Sequence, residues 1–315
     1  MSTNFTHTNL ALDKVGDLID CDRLAADIDE PLRVSAPLNF RAAHELCERK
    51  ADLNDCYAYH ALWQYLRLAG IARALRVDGP LYVDAAERFA RAGRLDRVLI
   101  SGTADYSMLA HLAHGAARAG RAVAFDVLDR CDTTLNINRW YADQRGLQVR
   151  IIKDDVLAFQ PDRQYDLICS HSFLFWHAPS DRPRLFQRWQ SWLVPGGHLC
   201  FSNRVSPQAI PFDPVERTDR MAHMAEEALR QLCALEVPLP CAEAEFIALV
   251  DKFGKRRQES LPGLPLELIE RWITDAGLAL DLAIRVADVL PGPEDKTIIS
   301  GQPAGRPRTW FQVRR

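Results

Sequence analysis

The pattern of apolar and polar positions divides the chain into three textures. From Leu10 to about Arg94 the apolar residues recur at helical spacing. Leu10, Val15, Leu18 and Ile19 begin it, and breaks follow around Pro31 and Pro37. Helices are predicted over Phe40–Cys47, over the segment Tyr57-Ala-Tyr-His-Ala-Leu-Trp-Gln-Tyr-Leu-Arg-Leu, and over Tyr82–Ala92, with Asp78-Gly-Pro as a helix break. At Arg97 the rhythm changes to short apolar runs alternating with helical stretches. Strands are predicted at Arg97–Ser101, Ala122–Leu128, Val149–Ile152, Tyr165–Ser170 and His198–Ser202. Between them lie helices Met108–Ala119, Thr133–Arg145 (stopped by Gly146) and Arg182–Leu193 (stopped by Pro195-Gly-Gly). After Val205 the alternation gives way to two helices, Val215–Leu235 and Ala242–Phe253. It resumes with helix Leu266–Ala276 and strands Leu278–Val286 and Trp310–Val313. Strands alternating with helices at this spacing build βαβ units and a parallel sheet covered on both faces.

The expected fold is therefore α/β: a seven-stranded, mostly parallel, doubly wound sheet. It carries an N-terminal helical cap and a helical insertion before the last two strands. The expected units are a cap over 1–94, a ligand-binding core over 95–205, a lid over 206–265, and completion of the core over 266–315.

Composition narrows the function. The chain has 315 residues, is 48% hydrophobic and carries a net charge of −3. Its charges are mixed along the length, which disfavours a nucleic-acid surface. Arg306, Arg308, Arg314 and Arg315 form one basic tail, read as a solvated end. Residues 1–12 are polar and expected to be disordered, no secretory signal is visible, and no run is apolar enough to span a membrane. Eight cysteines show no C-x-x-C pair and no zinc-ligand spacing, so a reducing cytoplasm and no metal are expected. The partners expected are a small-molecule substrate and, as an open option, a second copy of the chain.

A doubly wound sheet binds its ligand at the carboxyl ends of its strands. After the first strand comes Gly102-Thr-Ala-Asp, so Gly102, Thr103, Ala104 and Asp105 are candidate cofactor contacts. After the second comes Asp129-Arg130, where a carboxylate accepts two hydrogen bonds from a ribose diol. Asp126 lies mid-strand and suits that task less well. After the third come Asp154, Asp155 and Val156, where a carboxylate accepts from an exocyclic adenine amine. The alternative for each acid is a helix cap or turn.

In this arrangement residues 97–205 and 266–313 resemble the class I (Rossmann-like) S-adenosylmethionine-dependent methyltransferases. The helix after Asp129, the Gly146 stop, Asp155, Tyr165-Asp-Leu-Ile-Cys-Ser-His and Leu193-Val-Pro-Gly-Gly-His-Leu fall in family order. The resemblance implies S-adenosylmethionine as cofactor, with Asp129 on its ribose, Asp155 at the adenine N6 and Gly102 beneath its methionine end. The family's glycine-rich loop is reduced to Gly102. Ala104 and Tyr106 stand at the later glycine places and Ile100 at the acid's, leaving Asp105 as a substitute carboxylate for the cofactor's amino group.

The reacting groups are expected after the fourth strand, in Ser170-His-Ser-Phe-Leu-Phe-Trp-His. His171 (also a candidate cofactor contact) and His177 are candidate proton acceptors, with a chemically idle helix-start histidine as the alternative. Phe173, Phe175 and Trp176 either face a sulfonium or pack the core. Asn138, an amide in an apolar helix pattern, and Ser202, at the end of the fifth strand, are further candidates; Trp140 and Tyr141 are expected in the core. Tyr57, His60, Trp63, Met221, His223 and Met224 are candidate lid lining, with helix packing the alternative for the methionines. The implied activity is methyl transfer to a small metabolite. The alternative is a same-fold enzyme using the aminocarboxypropyl arm, such as cyclisation to azetidine-2-carboxylate with release of methylthioadenosine. A nonenzymatic scaffold is a third class, against which the pair of cofactor acids argues.

Overall fold

A computed structural model of the chain describes residues 21–48, 56–72, 74–206, 214–259, 264–290 and 308–315. The expectations for residues 1–12, for the apolar positions Leu10 to Ile19 and for Arg306 lie outside them.

Seven strands form one sheet: β1 (Arg97–Ser101), β2 (Ala124–Asp129), β3 (Val149–Lys153), β4 (Tyr165–His171), β5 (Leu193–Arg204), β6 (Ala279–Arg285) and β7 (Arg308–Arg314). Their order is β3-β2-β1-β4-β5-β7-β6. β1 to β5 pair in parallel, and β7 inserts antiparallel between β5 and β6. Among the described residues the helices are α1 (Cys21–Asp29), α2 (Leu32–Leu46), α3 (Tyr57–Leu68), α4 (Ala74–Arg91), α5 (Ser107–Arg118), α6 (Asp132–Arg145), α7 (Arg182–Trp192), α8 (Pro214–Ala234), α9 (Glu243–Glu259), α10 (Leu266–Asp275) and the short α11 (Val286–Val289).

The central strands are apolar on both faces because helices cover both. Val98 and Ile100 of β1 pack toward α4, α5 and α6, while Leu99 packs with α7 and α10. A third core joins α2, α3, α8 and α9, where Met221, Met224 and Phe253 are fully covered. Met221 and Met224 therefore pack between helices.

Five local expectations are corrected. Asp78-Gly-Pro does not break a helix, because α4 runs through it with Pro80 inside. Gly79 instead lets α4 approach α5: a Cβ there would stand 2.2 Å from the His111 ring. Pro37 likewise lies inside α2, whose Ala36, Phe40 and Ala43 are buried with α3, so packing outweighs the lost N–H. Pro195-Gly-Gly lies within β5, where the pairing with β4 shifts between Tyr165 and Leu167. β6 ends at Arg285 and a helical turn follows. Arg308 is not part of a solvated tail: it begins β7 with only 9% of its surface exposed, and its guanidinium reaches into the sheet edge.

Candidate functional site

The carboxyl ends of β1, β2, β3 and β4 open into a cavity of about 860 Å³, closed on the opposite side by residues of α1, α3 and α4. Burial of the β1 run ends at Gly102, which takes φ +76°. A Cβ at that position would stand 2.3 Å from the Phe173 ring, so backbone conformation and close ring approach both require glycine. Thr103 and Ala104 continue the cavity wall.

Asp129 ends β2 at this wall. One carboxylate oxygen accepts the Thr103 N–H at 3.0 Å and the other the Cys131 N–H at 2.9 Å. The two amides fix the carboxylate's orientation and leave each oxygen acceptor capacity toward the cavity. Burial pushes its carboxyl upward, opposed by nearby His60 and by both N–H groups. Asp126 is elsewhere occupied, accepting from Tyr165 Oη at 2.7 Å and Arg150 at 2.5 Å.

At the end of β3, Lys153, Asp154 and Val156 face the cavity and Asp155 does not. The Asp155 carboxylate accepts the Leu157 N–H at 2.8 Å, a turn cap, and stands 3.6 Å from Arg130. Of the two acids after β3, Asp154 is thus the one that lines the cavity. Its Oδ1 accepts the Asp155 N–H at 2.7 Å, and its second oxygen remains.

Asp105 has a different task from the one expected. It is 2% exposed, and its carboxylate accepts from Arg67 Nη1, from the Ser107 N–H at 2.8 Å and from Ser107 Oγ. Arg67 also pairs with Asp29, which Arg76 meets at 2.8 Å. This buried ionic network ties α3 and α1 to the loop after β1. Nothing in the strand pattern singles out Arg67. Its one signal is a cation within the buried Tyr65-Leu66-Arg67 stretch.

His171 and His177 both line the cavity. His171 Nε2 lies 3.1 Å from Asp78 Oδ2 and 2.8 Å from Arg308 Nη1, which also donates to Ser172 Oγ. His171 and Arg308 outweigh the burial of Asp78 and pull its carboxyl down to about 2. His177 is pushed down to about 4 by burial, and so is His111. The His177 ring stands edge-on to Phe173 at 4.6 Å. Sequence reasoning missed Asp78 and Arg308, taking Asp78 as part of a helix break and Arg308 as part of a solvated basic tail.

The aromatic expectations divide. Phe173 and Trp176 line the cavity, with Tyr59 meeting Trp176 at 5.2 Å. Phe175 touches the cavity but is 4% exposed and belongs to the core. Tyr141 stacks on Tyr106 at 4.5 Å, and Trp140 packs beside them. Asn138 is fully buried in α6, donates to Thr134 O at 2.8 Å and lies away from the cavity. Ser202 is buried in register with His171 and also stays behind the wall. Of the proposed lid lining only His60 and Trp63 reach it, while His223 is exposed.

One grouping was invisible in the spacing. Cys47, Cys56, His60 and Cys131 converge beside Asp129, although Cys47 and Cys131 are 84 residues apart. Hydrogen bonds from Cys47 and Cys56 draw the Cys131 thiol down, whereas Cys47 is pushed up.

The S-adenosylmethionine implied by the sequence fits this cavity at its adenosine end. Two carboxylates stand at adjacent strand ends, one already oriented by backbone amides. At the methionine end the carboxylate of Asp105 is taken by Arg67.

Residues 106–197 match the family model of the methyltransferase domain, under a third of the chain. No curated protein sequence matches. Among solved structures, an O-methyltransferase family protein from Burkholderia thailandensis is similar at 15% identity and TM-score 0.48, over 81% of this chain and 60% of that one. The N-methyltransferase NodS from Bradyrhizobium japonicum WM9, in complex with S-adenosyl-L-homocysteine, is similar at 14% identity and TM-score 0.46, over 82% and 97%. CalS10, an amino pentose methyltransferase from Micromonospora echinaspora, is similar at 21% identity and TM-score 0.33, over 40% and 51%. The chain thus spans about three fifths of the Burkholderia protein. No described helix is long and apolar enough to cross a membrane.

Proposed function

With residues 106–197 as a methyltransferase domain, we propose that the chain transfers a methyl group from S-adenosylmethionine to a small-molecule metabolite. One observation carries this reading: a single cavity is lined both by Gly102, Asp129 and Asp154 at the strand ends and by the rings of Tyr59, Phe173 and Trp176. Its volume of about 860 Å³ is near the top of the range of about 300–1,000 Å³ for small-molecule pockets, which leaves room for a metabolite beside a cofactor.

In this reading Asp129 holds the ribose diol, Asp154 the adenine amine, and Gly102 and Thr103 the turn beneath the methionine arm. Bound S-adenosylmethionine supplies a methyl group on a sulfonium, and in-line transfer needs orientation and exclusion of water more than a strong base. Phe173, Trp176 and Tyr59 offer ring faces that attract a cation by roughly 0.5–2 kcal/mol. In this reading His171, which lines the cavity and contacts Asp78, accepts a proton. The described residues of 95–205 and 266–315 form, in this reading, the cofactor-binding core. On the same reading α3 of the cap covers the reacting end with Tyr59, and α9 of the insertion backs it, Phe253 stacking on Tyr59 at 5.4 Å.

A second reading has one observation in its favour. Because Asp105 is held by Arg67 and Ser107, no carboxylate at that position holds the methionine-arm amine. An unheld amine is what cyclisation to azetidine-2-carboxylate requires. Incubation with S-adenosylmethionine alone, followed by mass spectrometry, separates the two. Methyl transfer predicts a cofactor stable until a metabolite is supplied, then S-adenosylhomocysteine. Methylthioadenosine formed at a catalysed rate from cofactor alone would replace it with the cyclase.

A further inference from the structure

We propose that Cys47, Cys56, His60 and Cys131 form a closed tetrahedral zinc site that fastens the helical cap to the rim of the cavity. The four side chains come from three separate segments. Cys47 follows α2, Cys56 caps α3 with His60 one turn later, and Cys131 caps α6 two residues beyond Asp129. The backbone turn from Cys56 to His60 is regular, with the His60 N–H on Cys56 O at 3.0 Å, so both side chains leave the same helix face.

The spacing of the donor atoms matches one ion. All four lie within 4.8 Å of one another. Cys47 Sγ is 3.7 Å from Cys131 Sγ and 3.4 Å from His60 Nδ1, and Cys56 Sγ is 3.6 Å from Cys131 Sγ. Zinc–sulfur bonds of about 2.3 Å at tetrahedral angles place sulfurs about 3.75 Å apart, and zinc–nitrogen bonds of about 2.0–2.1 Å place sulfur and nitrogen about 3.5 Å apart. A disulfide would join only two of the three sulfurs, at about 2.05 Å, and would leave a thiol and an imidazole packed against it unused. Three thiolates and one imidazole are a soft tetrahedral set that selects zinc over magnesium or calcium.

Supporting contacts surround the donors. Thr133 Oγ1 lies 3.1 Å from Cys47 Sγ, and the carbonyl of His60 accepts from Asn39 Nδ2 at 2.7 Å. Such outer contacts orient metal ligands. Four protein donors leave no open position, so the role is structural. Binding releases the three thiol protons to solvent and leaves the centre with one net negative charge. Cys131 also donates its N–H to Asp129, so the ion fixes one of the two amides that orient that carboxylate.

The test uses the full chain purified without chelators, with metal measured by inductively coupled plasma mass spectrometry. The site predicts about one zinc per chain. Cys56→Ser and Cys131→Ser should each lower it at least about tenfold, a loss expected when one ligand of a closed site is removed. Cys233→Ser, an exposed position outside the group, should leave it unchanged. Should the ligand variants fail to fold, growth of the wild type with cobalt provides the second measurement. A tetrahedral thiolate site gives intense visible bands with sulfur-to-cobalt charge transfer. Folded wild-type protein without metal, whether with three free thiols or with a disulfide between two of them, would overturn the proposal. Metal content is read without cofactor or substrate, so its outcome does not depend on the methyl-transfer reading.

Discussion

The two walls of the cavity are built by opposite means. The strand-end wall carries Gly102, Asp129 and Asp154, each placed by its position at or just after the end of a strand, with both carboxylates held by nearby backbone amides. The facing wall is held by ionic contacts between distant segments: Arg67 with Asp29 and Asp105, and Asp78 with His171 and Arg308. The first wall presents acceptor groups to a ligand and contributes modestly to folding. The second buries charge and has little acceptor capacity to spare. Substitutions should therefore separate the walls, costing stability on one and ligand affinity on the other.

The largest effect is expected at Arg67. Arg67→Met preserves much of the stem but leaves Asp105 and Asp29 without their shared cation in a buried place. Removing one partner of a buried ion pair costs about 3–5 kcal/mol, so urea unfolding should show a loss of that size. A loss below about 1 kcal/mol, the range of a surface pair, would show that the facing wall is not held by this network.

A smaller, pH-dependent effect is expected at Asp78. Its carboxyl lies at about 2 in the folded chain, below its ordinary value of 3.8. A depressed carboxyl adds stability that is complete above the unfolded value and lost as pH falls through the folded one. The titratable and charged groups facing it are His171 and Arg308, with Tyr82 and His111 nearby. Asp78→Asn should cost on the order of 2 kcal/mol at pH 7, from nearly two pKa units at about 1.4 kcal/mol each. Measured against the wild type by chemical denaturation, the difference should narrow between pH 4 and about pH 2, the folded value. A constant difference across that range would remove the charged contact from the account.

The same contrast explains what the sequence disclosed. Strand ends follow from apolar runs and the residue that stops them, so Gly102 and Asp129 were legible without any distant contact. The choice between Asp154 and Asp155 was not, because adjacent residues in a turn face opposite ways and only the folded turn decides. Asp105 was misread for a related reason. Its position suited a ligand, but its partner Arg67 lies 38 residues earlier on a helix with no motif. The cysteine group was hidden by separation: no spacing rule links Cys47 to Cys131. Gly79 and Pro80 carried the local chemistry of a break, and helix packing against His111 overrode it.

The central claim is that the strand-end wall binds the adenosine part of S-adenosylmethionine through Asp129, and calorimetric titration with S-adenosylhomocysteine tests it most directly. Wild type should bind one equivalent saturably. Asp129→Ala should weaken binding by about 1.5–3 kcal/mol, the range for charge-assisted hydrogen bonds, while costing no more than about 1 kcal/mol in stability. Wild-type protein that does not bind, or an Asp129→Ala variant that binds equally well, would contradict the account.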